Sequence, residues 1–210
     1  MLTEITVHDA PFPGTRGSRV RWMLEELGVP YSLAPVDLSK GEHKRPEYLE
    51  KHPHGKVPAV SASLEDTQLV LIESAAICMH LADTHPQQNL APAPGTHYRA
   101  FWYQWIVYAV ASLDEALVPM LFHTALLPAD ERKAEPVEHG KKVWAAAAPF
   151  IARAVDGRQW LLADHFTAAD VVLGYDLHLA QQMSLLAEHP PLAQYYARLA
   201  ARPAFRKVFG

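Results

Sequence analysis

Residues 52–60 read HPHGKVPAV: a polar, turn-rich stretch that ends in a proline set directly before a β-branched run. Proline cannot donate to a sheet ladder, so Pro58 fits only the leading position of a strand, where a cis Val57-Pro58 bond would aim the Val57 backbone outward. Downstream, Leu69 to Ile72 (LVLI) is a continuous apolar run suited to a buried strand. The intervening ASLEDTQ, residues 62–68, supplies a turn, so VPAV and LVLI are expected to pair as an antiparallel hairpin. Glu73 and Ser74 then open a helix whose inward positions are Ile77, Cys78 and Leu81.

Working upstream, Glu4 to His8 (EITVH) alternates β-branched residues and reads as a short strand. From Ser18 the period changes. Val20, Met23, Leu24 and Leu27 fall at i, i+3, i+4 and i+7 on one helical face, which Gly28 and then Pro30 terminate. Tyr31 to Asp37 (YSLAPVD) follows as a second strand, and strand, helix, strand implies a parallel pair. Lys40 to Lys51 is polar, consistent with an exposed loop or short helix. The N-terminal region therefore reads βαβ followed by ββα.

Working downstream, His85 to Gly95 (HPQQNLAPAPG) carries three prolines and a glycine and separates unlike halves. The expected organisation is a first domain at 1–84, a linker at 85–95 and an all-helical domain at 96–210. In that last part the sequence FTAADVVLGYDLHLAQQM marks a helix start. Thr167 is placed to cap it, Asp170 stands three residues on to complete a capping box, and Phe166 can staple against Val171.

Composition narrows the function classes. The chain has 210 residues, half of them hydrophobic, and a formal net charge of −4 from 23 acidic and 19 basic residues. This mixed charge gives no reason to expect a nucleic-acid or anionic-membrane partner. There is no basic and apolar leader pattern and no long uncharged run, so a cytoplasmic location is expected. One cysteine, Cys78, leaves no internal disulfide and no CxxC pair. The 12 histidines are scattered, and the close pair His52 and His54 flanks a proline, so no metal site is expected. Cys78, on the apolar stripe of its helix, is expected to be buried and inert.

The order βαβ, ββα, proline-rich linker, all-α domain resembles the cytosolic glutathione transferase family, a thioredoxin-like domain joined to a helical bundle. Three segments carry the resemblance. RVRWMLEELGVPY is similar to the first helix and second strand of many bacterial members. HPHGKVPAV is similar to the family's N-x-x-x-K-V-P-A-L, with His52 in place of Asn. LIESAAICMHLAD is similar to L-x-E-S-x-A-I-x-x-Y-L, with His80 where an aromatic is frequent. The fold is therefore expected to be α/β plus all-α.

The resemblance implies roles for particular residues. Pro58 is cis in the family, and Val57 before it pairs by main-chain hydrogen bonds with the cysteinyl part of glutathione, recognition by strand addition. Ser74, at a helix N-terminus that favours anions, receives the γ-glutamyl carboxylate, and Glu73 accepts from its ammonium. His43 and Lys56 stand where related classes approach the glycine carboxylate of glutathione, a role that competes with plain solvation. Ser74 and Glu73 can serve the helix start as well.

Chemistry in such an enzyme needs the glutathione thiol as thiolate. Lowering an ordinary thiol pKa of ~8.5 by two units requires ~2.7 kcal/mol of preferential stabilisation. The family places the stabilising group between the first strand and first helix, as a tyrosine, a serine or threonine, or a cysteine. Here PFPGTRGSR, residues 11–19, has neither Tyr nor Cys, which points to a serine/threonine-type site. Aligning Arg19-Val20 with the start of the first helix puts Thr15 at the catalytic hydroxyl, with Ser18 the alternative and otherwise a helix cap. Arg16 could face the thiolate or a carboxylate, whereas Arg19 is expected to hold structure through an ion pair.

Trp105, Tyr108 and Ser112 share a helical face and are candidates for a second-substrate pocket, or for core. Tyr103 stands where some serine-type classes carry an acidic residue. The expected activity is conjugation of glutathione to a small hydrophobic electrophile by a homodimer. The alternatives are glutathione-dependent peroxide or disulfide reduction or isomerisation on the same site, and a non-catalytic binding or regulatory protein that keeps the fold.

Overall fold

β1 (Thr3–Asp9) and β2 (Ser32–Pro35) are parallel neighbours joined through α1 (Gly17–Leu27), as the change of period in the sequence implies. The computed structural model describes residues 1–162 and 165–210, in two units: Met1–Ala91 with Arg202–Gly210, and Pro92–Ala201. The division between Ala91 and Pro92 falls inside the proline-rich 85–95 stretch.

In the first unit the sheet order is β2-β1-β3-β4, with β3 (Ala59–Leu64) antiparallel to both β1 and β4 (Thr67–Ile72). The hairpin turn is only Glu65-Asp66, both at positive φ (48° and 64°). The strands therefore run further than LVLI and VPAV suggested, because Ala62 to Leu64 and Thr67 to Gln68 pair rather than turn. α1 buries Val20, Met23, Leu24 and Leu27, and Gly28, at φ 65°, closes it. Its N–H returns to the Glu25 carbonyl, and the Val29 N–H returns to Leu24. Between β2 and β3 lie a 3-10 turn (Glu42–Lys44) and a single-turn α2 (Pro46–Leu49). α3 (Ser74–Thr84) buries Ile77, Cys78 and Leu81 on the side the spacing indicated.

One element departs from the expected 96–210 domain. The last helix of the chain, α9 (Pro203–Phe209), belongs to the first unit and packs on α1. The fully buried Trp22 meets Phe205 and Phe209 edge-on, at ring-centroid distances of 5.0 and 6.1 Å. Just before α9, Arg202 grips Glu26 through two 2.6 Å hydrogen bonds, and Lys207 reaches Glu25 at 2.7 Å. A ring the size of Trp22 on the outer side of α1 needs an apolar cover, and α9 supplies it.

The second unit is helical. α4 (His97–Tyr108) and α5 (Asp114–Leu121) form one continuous helix, joined by a widened π turn at Ala109–Leu113 and followed by another at Phe122–Leu126. Pro119 inside α5 has no N–H to give its own helix, a local irregularity of the kind that accompanies such turns. By length and composition this helix could cross a bilayer. Asp114 and Glu115 interrupt it, and Trp102, Trp105, Ile106 and Leu113 are buried in the unit.

α6 (Ala134–Val155), α7 (Ala168–Gln182) and α8 (Pro190–Ala200) complete the unit. The capping box at α7 forms between Thr167 and Asp170 as expected. Asp170 does more than cap. Fully buried, it also accepts from the Leu161 N–H at 2.9 Å and the Tyr195 hydroxyl at 2.6 Å, so it ties α7, α8 and the preceding segment together. Burial pushes its carboxyl up, against the pull of these donors.

Candidate functional site

The register of the sheet brings three separate segments of the first unit to one end. His8 of β1 pairs with Ala59 of β3, and Ala59 pairs with Ile72 of β4. One residue further, Asp9, Pro58 and Glu73 therefore stand side by side where the strands give way to loops. The hydroxyl-bearing loop, the Val57-Pro58 step and the Glu73-Ser74 helix start all leave the sheet from this edge.

The Val57-Pro58 bond is cis, and Val57 is half-buried there. Glu73 is exposed and takes φ 69°, ψ 98°, a conformation that costs a non-glycine residue about 1–3 kcal/mol and is retained chiefly at functional positions. Ser74 follows as the first residue of α3, 5 % exposed. Its Oγ accepts a 3.5 Å contact from Nη1 of the fully buried Arg19 on α1. Accepting from Arg19 leaves the Ser74 hydroxyl its own hydrogen to donate, beside the free N–H groups of the first turn. Arg19, expected to hold structure, braces this hydroxyl from below.

A second wall is built by the polar segment between β2 and β3. Lys44 donates to the carbonyls of His54 and Gly55 at 2.9 and 3.2 Å, and the Tyr48 hydroxyl donates to the Lys56 carbonyl at 2.7 Å. Gly55 is at φ 54°, and a Cβ there would collide with the His43 carbonyl, so only glycine lets the two loops meet. This arrangement holds His43 and Lys56 on adjoining loops next to Val57. His43 is half-buried, with its Nδ1 lacking a hydrogen-bond partner, while Lys56 is exposed. His52 is 3 % exposed and its Nδ1 is likewise unpartnered. Burial lowers its pKa, with the Glu73 carboxylate pulling the other way.

In the hydroxyl loop the two candidates differ. Thr15 is half-buried, and its Oγ1 donates to Asp9 Oδ1 at 2.6 Å. Ser18 is fully buried, and its Oγ accepts from the Gly14 N–H at 3.1 Å. The expectation that Ser18 caps α1 is corrected: Arg16 occupies the cap position without a side-chain cap bond, and Ser18 lies inside the helix, turned back to fasten the loop. Arg16 itself is half-buried at the helix entrance.

Asp9, the last residue of β1, is a site residue that the strand pattern alone does not announce. It is fully buried, and its Oδ2 has no hydrogen-bond partner. Burial raises its pKa to about 6, against the opposing pull of the Thr15 hydroxyl, the Ala10 amide and Arg21. Gly17, the first residue of α1, lies directly on the carboxylate, and a Cβ there would collide with it. Tyr48 was also missed; it anchors the Lys56 loop, and burial together with the Asp9 charge raises its own pKa.

The remaining candidates lie in the second unit. Trp105 is buried and stacks on Phe150 at 5.1 Å, half-buried Tyr108 meets the same ring at 5.4 Å, and Ser112 is exposed. Tyr103 is exposed and lies under the Arg99 guanidinium at 4.8 Å. Cys78 is buried, and burial pushes its thiol up to about 12. Among the described residues no group of acidic, His and Cys side chains is arranged to hold a metal ion.

Comparison with known proteins places the fold among recognised relatives. Residues 6–83 match the family model for the glutathione S-transferase N-terminal domain. A probable glutathione S-transferase of rice, GSTF2, is 31 % identical across 91 % of this chain and 93 % of its own length. The disulfide-bond oxidoreductase YfcG of Escherichia coli is 28 % identical across 95 % of this chain and 92 % of its own. Among solved structures, a glutathione transferase family member from Pseudomonas fluorescens with two glutathione bound superposes with a TM-score of 0.86 at 25 % identity. That match covers 97 % of this chain and 91 % of the other.

Proposed function

This chain belongs to the glutathione S-transferase family, and we propose that it is a serine/threonine-type glutathione transferase that attacks small hydrophobic electrophiles with the glutathione thiolate. The observation that carries the reading is the convergence of Val57-Pro58, Glu73-Ser74 and the Thr15 loop on one sheet edge. Val57 offers main-chain groups for strand-like pairing with the peptide. Ser74 and the α3 N-terminus offer donors to a carboxylate, and Glu73 offers an acceptor to an ammonium. His43 and Lys56 offer charge to the second carboxylate. Thr15 is the hydroxyl within reach of a bound sulfur, since Ser18 has no surface through which to touch a ligand. Arg16, at the α1 entrance, adds positive charge near the same point. The hydrophobic co-substrate is assigned to the Tyr108 and Ser112 face, with Trp105 buried against Phe150 as part of the core, and a cytoplasmic homodimer is the form proposed.

Thr15→Val tests this reading. Conjugation of an aryl halide should fall by about 10- to 100-fold near neutral pH, the worth of one hydrogen bond to a charged sulfur, while glutathione affinity changes little. Full activity in the variant removes Thr15 from the mechanism.

The similarity to YfcG supports a second reading, glutathione-dependent disulfide reduction on the same site. The chain's single thiol, Cys78, is buried and held protonated, so such a reaction would run through bound glutathione rather than a protein cysteine. Product analysis separates the two, because reduction consumes two glutathiones and leaves their disulfide.

A further inference from the structure

The Thr15 hydroxyl has one hydrogen, and in this structure Asp9 takes it. While that holds, Oγ1 presents only lone pairs outward and can accept from a thiol but cannot donate to a thiolate. Thr15 can donate to a thiolate and still keep its bond to Asp9 when Asp9 becomes neutral, so that the carboxyl O–H donates to Oγ1 and releases the threonine hydrogen; turning the hydroxyl away from an ionised Asp9 would instead strand a buried anion. We propose that Asp9 is the positioning residue that receives, through Thr15, the proton surrendered by bound glutathione, so that thiol and carboxylate share one proton. This inference rests on the assignment of Thr15 as the group that faces the sulfur.

The step balances without a further reactant. The thiol S–H bond breaks and its proton passes to Thr15 Oγ1, while the threonine O–H bond breaks and its proton passes to Asp9 Oδ1. The sulfur keeps the electron pair, and the negative charge moves from carboxylate to sulfur. Two anions separated by a single hydroxyl in a buried setting disfavour each other, so each raises the other's affinity for the proton.

The surroundings suit a carboxyl that changes state. Its 2.6 Å contact to Thr15 provides the path, and its fully buried Oδ2 makes no hydrogen bond that protonation would break. Gly17 lies directly on the carboxylate and Asp9 is fully buried, so Thr15 is the group through which a ligand can reach it. The charged and titratable groups acting on it are Arg21 of α1 and Tyr48 of α2. Arg21 favours the anion, and Tyr48 is neutral, with its hydroxyl committed to the Lys56 carbonyl. Burial, which raises the Asp9 pKa to about 6 before any ligand binds, already brings the group close to protonation.

The test counts protons and thiolates together. Glutathione is titrated into the protein near neutral pH, with ultraviolet absorbance reporting thiolate and calorimetry in buffers of different ionisation enthalpy reporting protons released. The wild type should form thiolate while releasing well short of one proton per sulfur, and Asp9→Asn, which cannot take the proton, should release a full one. The pH profile of thiolate formation should correspondingly lose its second ionisation in Asp9→Asn. A full proton released by the wild type overturns the role of Asp9 and leaves the transferase reading standing. Absence of glutathione binding, or binding with no thiolate, overturns both. The wild-type count decides by itself if the variant fails to fold.

Discussion

Replacing Asp9 by asparagine should stabilise the protein at neutral pH and do nothing for it in acid. Burial raises the Asp9 pKa from 3.8 to about 6, so the folded state holds the proton more tightly than the unfolded chain does. The sign follows from linkage: well below the unfolded value of 3.8 the carboxyl is neutral in both states and imposes no cost. As pH rises through the interval from about 4 to about 6, the unfolded state gains the freedom to ionise first and wild-type stability declines. Above that interval the full penalty applies, and two pKa units at 1.36 kcal/mol each make it about 3 kcal/mol. Asparagine has nearly the shape of the protonated acid and never ionises. Urea unfolding of both proteins, followed by tryptophan fluorescence and by hydrogen exchange in β1, should show a gap of ~2–3 kcal/mol at pH 7.5 that closes by about pH 3. If Asp9→Asn destabilises equally at both pH values, the carboxylate is a paired anion in the folded state and the account of its burial is wrong.

Two other predictions concern stability. Tyr195→Phe removes the 2.6 Å donor to the fully buried Asp170 and should cost about 1–3 kcal/mol of unfolding free energy, measured by denaturant titration. Arg202→Ala leaves Glu26, a side chain only 9 % exposed, without its two-point partner. It should loosen α9 from α1 by ~1–2 kcal/mol, seen as faster amide exchange in residues 203–209 with exchange in the second unit unaffected.

Most of the fold and part of the site were legible because their signals are local. Val57-Pro58 and Glu73-Ser74 announce themselves within two residues, and the sheet register then carries them to the same edge. The period change at Ser18, the Gly28 stop and the Thr167 cap are equally short-range. The hairpin turn is shorter than ASLEDTQ suggests, because Glu65-Asp66 adopt positive φ without the Asn-Gly pattern that normally signals it. The significance of Asp9 could not be read from EITVHDA, since it depends on Gly17 closing over the carboxylate and on Thr15 folding back six residues later. Ser18 carries the composition of a cap, yet the loop needs its oxygen for Gly14, and side-chain direction is set by that closure rather than by sequence position. The amphipathic pattern of residues 203–209 says that α9 has a face to bury but not which unit it covers.

That last helix has a consequence for biosynthesis. Trp22 and Glu26 leave the ribosome long before Phe205 and Arg202, with the whole of the second unit synthesised between them. The first unit therefore begins folding first and finishes last, its α1 surface bare until residues 202–210 arrive. A nascent chain stalled anywhere within the helical unit would expose an apolar indole to chaperones, and an excised 1–91 fragment would carry the same wound permanently.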